Sequence, residues 1–222
     1  MRQFMNGKRW GEEGGPDEDR VRPHVLWLPQ DQSQVLDYFG RLREITSLYP
    51  EIITTIPDAD LHMTIQQILP RTADGTRVDG AMLITAAAAV QQQLTGLQPI
   101  EIEIGPARAS RAAGIVEIWP ETGPEALYRR VRAGLTAAGL QLPPAAKHFW
   151  PHMSCGYGVQ DTDTPHLAAR SDLLASDLGK AIRPGIRTRA TVSSVWLVWE
   201  RQHPADARYT FDRVHQLHLG RA

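Results

Sequence analysis

Leu61-His62-Met63-Thr64-Ile65 (LHMTI, residues 61–65) decides the reading of this chain, because it has an echo in Pro151-His152-Met153-Ser154-Cys155 (PHMSC, residues 151–155). Each stretch holds a histidine, a methionine and a hydroxyl residue in that order. On a β-strand, side chains at i and i+2 share a face, so His62 stands beside Thr64 and His152 beside Ser154, while both methionines point the other way. Two such strands at one cleft bring together two imidazoles and two hydroxyls.

A tripeptide of this kind is a weak signal alone, and a lone strand histidine is more often structural. The surrounding pattern carries the argument. His24 to Leu28 is an apolar run closed by Pro29 and predicts a strand. Residues 32–48 place Val35, Phe39, Leu42 and Ile45 at helical spacing and stop at Pro50. The histidine strand runs from Leu61 to Ile68, an Ala-rich helix from 78 to 94 ends at Gly96, and IEIEI (100–104) is an alternating strand.

The same order then recurs. GIVEIWP from Gly114 matches HVLWLP, Thr122 with Glu125 predicts a capping box before a helix with Leu127, Val131 and Leu135, and the strand of His152 follows. Thr164-Pro165 opens another helix, and TVSSVWLVWE closes the unit. Val25 lies ninety positions before Ile115, as His62 does before His152. Chance tripeptides have no reason to respect that offset. The expected fold is α+β: duplicated β-α-β-α-β units with antiparallel-rich sheets facing a central cleft, the repeats spanning about 22–105 and 112–200. RYTFDRVHQLHL predicts a last strand over about 207–219, hairpinned onto its predecessor.

With 222 residues and ordinary apolar content, residues 21–222 can form a single bilobal domain. Residues 1–20, which include GEEGGPDEDR, read as a mobile polar tail on which only Trp10 could dock. A net charge of −1 argues against coating extended nucleic acid, which needs many phosphate contacts. The single Cys155 excludes an internal disulfide and fits a reducing compartment. No apolar h-region stands at the start, and AMLITAAAAV is too short to cross a bilayer. The expectation is therefore a cytoplasmic protein with no membrane partner.

Duplicated H-x-[ST]-x tripeptides about ninety residues apart, in two similar α+β lobes, resemble the two-histidine (2H) phosphoesterases, among them the bacterial RNA 2',3'-cyclic phosphodiesterases, also called 2'-5' RNA ligases. The resemblance covers roughly residues 22–220; its specific part is Pro57 to Ile65 and Pro151 to Tyr157. It implies metal-independent chemistry without a cofactor, on a nucleotide or RNA end carrying a cyclic phosphate, in a monomer. Ser154 stands where threonine is commoner and keeps the hydroxyl; Cys155 replaces a more usual aliphatic residue.

The residues reach the same chemistry unaided. Opening a cyclic phosphate takes a base for the water proton and an acid for the departing ribose oxygen, and histidine serves both near neutrality. His62 and His152 are the candidates for these roles; Thr64 and Ser154 are the candidates for binding the non-bridging phosphate oxygens. Trp150 shares their face and could stack on a nucleobase or be buried. Tyr157 falls on the opposite face of a regular strand, unless Gly156 and Gly158 distort it and turn the hydroxyl toward the phosphate. Asp58 and Asp60 extend the face of His62, but no ligand set accompanies them, so no metal is expected. Arg108, Arg111, Arg183, Arg187 and Arg189 are further candidates for phosphate contact. The alternatives are hydrolysis or ligation of 2'-5' linkages, and a binder of phosphorylated ends without turnover.

Overall fold

Hydrophobic period alternates between two and three to four along the chain, and the backbone follows it. A computed structural model describes residues 1–5, 10, 17–180 and 187–220. Among these are the strands β1 (Val21–Trp27), β2 (Met63–Gln67), β3 (Ile100–Ala109), β4 (Ala113–Trp119), β5 (His152–Tyr157), β6 (Thr188–Val192), β7 (Ser194–His203) and β8 (Arg208–His218). The helices are α1 (Ser33–Thr46), α2 (Gly80–Leu94), α3 (Thr122–Ala137) and α4 (Pro165–Lys180).

Local chemistry explains the starts of two of the helices. The Asp79 carboxylate accepts from Met82 N at 2.9 Å at the start of α2. The Thr164 hydroxyl accepts from Leu167 N at 3.2 Å ahead of Pro165, as expected. The capping box predicted at Thr122 does not form: the cap residue is Glu121, and the Glu125 carboxylate accepts from Arg129 instead, at 2.5 Å. An i,i+4 charge pair wins that carboxylate.

The strands make one curled antiparallel sheet in the order β6-β3-β4-β5-β2-β1-β7-β8. The sheets of the two repeats are thus fused into one, and the halves exchange their last strands. β3, from the first repeat, pairs with β4 and β6, and β7, from the second, pairs with β1. TVSSVWLVWE, expected as one strand, is two: β6 ends at Val192 and β7 begins at Ser194. The break at Ser193 lets the chain leave the β3 edge and cross to β1. Each lobe therefore draws strands from both repeats.

Helices α1 and α4 back the lobe of β5, β4, β3 and β6, while α2 and α3 back the other. Gly134 on α3 approaches the backbone of Val90 on α2 so closely that a Cβ there would lie 2.5 Å from Val90 Cα. One apolar core runs behind the sheet from Val25 through Val116 to Leu217.

The expected mobile tail does not describe the parts of residues 1–20 that the structure includes. Arg2 N donates to Arg111 O at 2.7 Å, Phe4 N donates to Gly158 O at 2.9 Å, and Met5 is 1% exposed. Trp10 does dock: its ring stacks on His24 with centroids 5.4 Å apart. Residues 6–9 and 11–16 lie outside the described residues. Phe4, Met5 and Trp10 bring apolar surface that the average polarity of this stretch conceals.

Candidate active site

β2 and β5 meet at the middle of the sheet, where Met63 is the register partner of Met153. Both methionines are buried in the core, so alternation sends His62, Thr64, His152 and Ser154 to the opposite, concave face. All four line one cleft of about 340 Å³.

The two imidazoles are held alike. His62 Nδ1 lies 2.9 Å from Asp60 O and His152 Nδ1 lies 3.0 Å from Trp150 O. A carbonyl only accepts, so Nδ1 is the protonated nitrogen in each neutral ring and Nε2 is the basic one. The edge of His62 meets Phe211 with centroids 4.7 Å apart, and Trp150 stacks on His152 at 4.2 Å. Burial pulls the His62 pKa from 6.5 to about 4; the Asp60 carbonyl opposes this and the charge of His152 adds to it. At neutral pH His62 is therefore a neutral base that feels its counterpart across the cleft.

Tyr157 also lines the cleft, and the reason is a β-bulge. Ser154 pairs with Ile115 and Gly156 with Gly114, which leaves Cys155 as the extra residue. Cys155 and Gly156 both face the core, where Gly156 lies against Ile53 and Thr54, so the alternation flips and Tyr157 turns inward. Its hydroxyl shares a hydrogen bond with Ser154, and burial holds its pKa well above the ordinary value.

Trp150 is 40% exposed and its Nε1 donates to Glu117 Oε2 at 2.7 Å. Arg108 pairs with Glu117 and lies 5.5 Å over the Trp150 ring, at the rim. The other arginines of interest are elsewhere: Arg187 and Arg189 both approach Glu103, Arg111 is outside the cleft lining, and Arg183 lies outside the described residues. Asp58 and Asp60 do not extend the strand. They form a 3-10 turn before it and are ion-paired with Arg43 and Arg208, at 2.6 and 2.5 Å. No group of three or more potential metal ligands occurs among the described residues.

Beyond the motifs, the cleft lining includes two groups of touching residues: Gln66, Arg132, Tyr128 and Phe149, and Phe4, Trp10 and Tyr209. Glu200 lines it as well. A second bulge precedes Gln66: Thr64 pairs with Leu26 and Gln66 with Val25, which leaves Ile65 as the extra residue; Gln66, Arg132 and Glu200 had no signal in sequence. Glu200 Oε2 lies 3.4 Å from His24 Nδ1, whose proton goes to Arg22 O, so that carboxyl oxygen has no hydrogen-bond partner among the described residues. Burial pushes the Glu200 pKa up to about 8 and that of His24 down to about 3, leaving both neutral near pH 7.

Stability depends on pH through these two groups. Glu200 has a folded pKa above the ordinary 4.5, so its contribution is full below pH 4.5 and is lost as pH rises through about 8. His24 works oppositely, losing stability as pH falls from 6.5 toward about 3. Glu200→Gln removes the alkaline loss: its unfolding free energy from denaturant titration should nearly match the wild type at pH 5 and exceed it at pH 8.5 by on the order of a few kcal/mol. Parallel curves for the two proteins would show that Glu200 is ionised without cost.

No family model and no curated protein matches the chain. Solved structures do. TT0787 of Thermus thermophilus superposes with a TM-score of 0.61 at 13% identity, covering 90% of this chain and 100% of that one. E. coli LigT complexed with 3'-AMP gives 0.59 at 13% identity, covering 90% and 98%. The MHV ns2 PDE domain gives 0.51 at 10% identity, covering 80% and 97%. At these identities the likeness shows that the fold is shared.

Proposed function

We propose that this chain is a two-histidine phosphodiesterase that opens a cyclic phosphodiester, such as a nucleotide or RNA 2',3'-cyclic phosphate, without a metal. The observation that carries this reading is the matched pair of imidazoles in one cleft, each with Nδ1 tied to a carbonyl two residues upstream and each with a hydroxyl neighbour. The same fold in proteins described as a phosphoesterase and a PDE domain supports it.

In the proposed reaction water attacks phosphorus while His62 Nε2 takes its proton. The bond from phosphorus to one ribose oxygen breaks, and protonated His152 delivers a proton to that oxygen. His62 takes the base role because burial keeps it neutral, and His152, whose tie to its carbonyl lies at the exposed side of the cleft, takes the acid role. The hydroxyls of Thr64 and Ser154 donate to the non-bridging oxygens as charge builds in the pentavalent state. Tyr157, kept protonated by burial and bonded to Ser154, orients that hydroxyl.

The direct test is hydrolysis of a nucleoside 2',3'-cyclic phosphate in EDTA. Turnover that survives chelation supports the reading. Tight binding of cyclic and 2'-5' linked nucleotides with no turnover of either would make the cleft a binding site only. The acid limb of kcat/KM reports the base of the free enzyme. It should fall near pH 4 and not near 6.5, because neutral His62 is lost only below its depressed pKa. A limb near 6.5 would show that a His62 held neutral by burial is not the base.

A second reading, cleavage or joining of a 2'-5' linkage, is favoured by a cleft lined, beyond the histidines and hydroxyls, by Arg132 and by the aromatic residues Trp10, Phe149 and Tyr209. Comparing a 2'-5' linked dinucleotide with the cyclic phosphate decides between them.

A further inference from the structure

We propose that Arg132 and Gln66 form a second anion subsite, so that the ligand is a phosphodiester with a further phosphate within one nucleotide of it: an oligonucleotide end or a 5'-phosphorylated nucleotide. This deepens the reading of the cleft above and rests on it for the first phosphate.

Among the described residues lining the cleft, Arg132 is the only permanent cation and Glu200 the only carboxylate. Glu200 lies against His24, and burial pushes its pKa up to about 8, so it does not answer the charge of Arg132. Arg132 Nη1 donates to Gln66 Oε1 at 2.9 Å, a neutral acceptor. Gln66 is 5% exposed, and its amide nitrogen donates to Gln67 O at 2.6 Å, which fixes its oxygen toward the guanidinium.

Three other arginines spend their charge on carboxylates, Arg43 on Asp58, Arg108 on Glu117 and Arg208 on Asp60. Arg132 has no such ion pair among the described residues, and most of its five donors remain for an anion. Its position is also held. Its Cζ lies 5.6 Å from the centroid of Tyr128, which stacks on Phe149 at 4.7 Å and accepts from Ala146 N at 3.0 Å.

Gln66 follows Thr64 on β2 across the bulge at Ile65 and lines the same cleft, so the subsite begins within one nucleotide of the first phosphate-facing hydroxyl. A planar guanidinium suits a second phosphate, whose charge and paired oxygens accept its donors bidentately.

The test compares adenosine 3',5'-bisphosphate with 3'-AMP by calorimetry on the wild type, Arg132→Gln and Arg132→Lys. The wild type should bind the bisphosphate roughly tenfold to hundredfold more tightly. Arg132→Gln should bring that ratio to within about threefold of unity, while 3'-AMP affinity stays nearly constant, and Arg132→Lys should restore part of it. A wild-type ratio near one, or a ratio that Arg132→Gln leaves intact, overturns the subsite. Failure to turn over any cyclic phosphate would count against the proposed function alone, since the binding ratio needs no catalysis.

Discussion

His62→Ala and His152→Ala should each lower kcat for a 2',3'-cyclic phosphate by a factor of roughly 10² to 10⁴, the usual worth of a positioned acid or base. Each removes one end of a proton path that needs both. The double variant should be little worse than either single one, because groups acting as a unit give strongly non-additive losses. Both residues keep some exposure and each donates to a carbonyl at the strand start, so far-UV circular dichroism and the melting temperature should stay near those of the wild type. A single variant that keeps more than a tenth of wild-type kcat while folded would remove that histidine from the chemistry. Loss of the fold in both would make the pair structural.

Gly156→Ala should produce the largest change in stability. A Cβ there would lie 2.3 Å from the Thr54 carbonyl oxygen and 2.6 Å from Ile53 Cγ1. The carbonyl is backbone, and its segment is tied down, since Thr54 N donates to Tyr157 O at 2.8 Å. Relief requires moving that segment away from β5, at about 3 kcal/mol or more. For a chain of this length the melting temperature should fall by roughly 6 to 12 °C. Gly179→Ala is the control: nothing lies within 4 Å of its Cβ, it sits in α4, and it should be neutral or slightly stabilising. If Gly156→Ala melts with the wild type, the close approach of β5 to Thr54 does not exist in solution. The inward turn of Tyr157, which depends on the same bulge, would fall with it.

The two histidine strands and their equivalence were legible because a period of two and a fixed offset are local properties of sequence. The exchange of last strands was not. Nothing around Ser193 is a glycine or proline, and which edge a strand joins is decided by contacts far away in the chain. Gly156 announced that β5 might deviate, but only its pairing with Gly114 says in which direction, and so where Tyr157 points. Arg132 sits in an amphipathic helix among several other arginines, and only the fold separates the one facing Gln66 from those facing water or carboxylates. The opening segment read as polar because its charged residues outnumber Phe4, Met5 and Trp10, although these three do the docking.

Met63 and Met153 form the only register pair linking β2 to β5 among the described residues, whereas β7 and β8 are laced together along ten pairs. The seam between the lobes is thus the thinnest line in the sheet, and it passes directly behind both imidazoles. A wedge or a filler placed there, by widening or narrowing the two thioethers, would act as a calliper screw. It would change the gap between the two nitrogens without touching either of them.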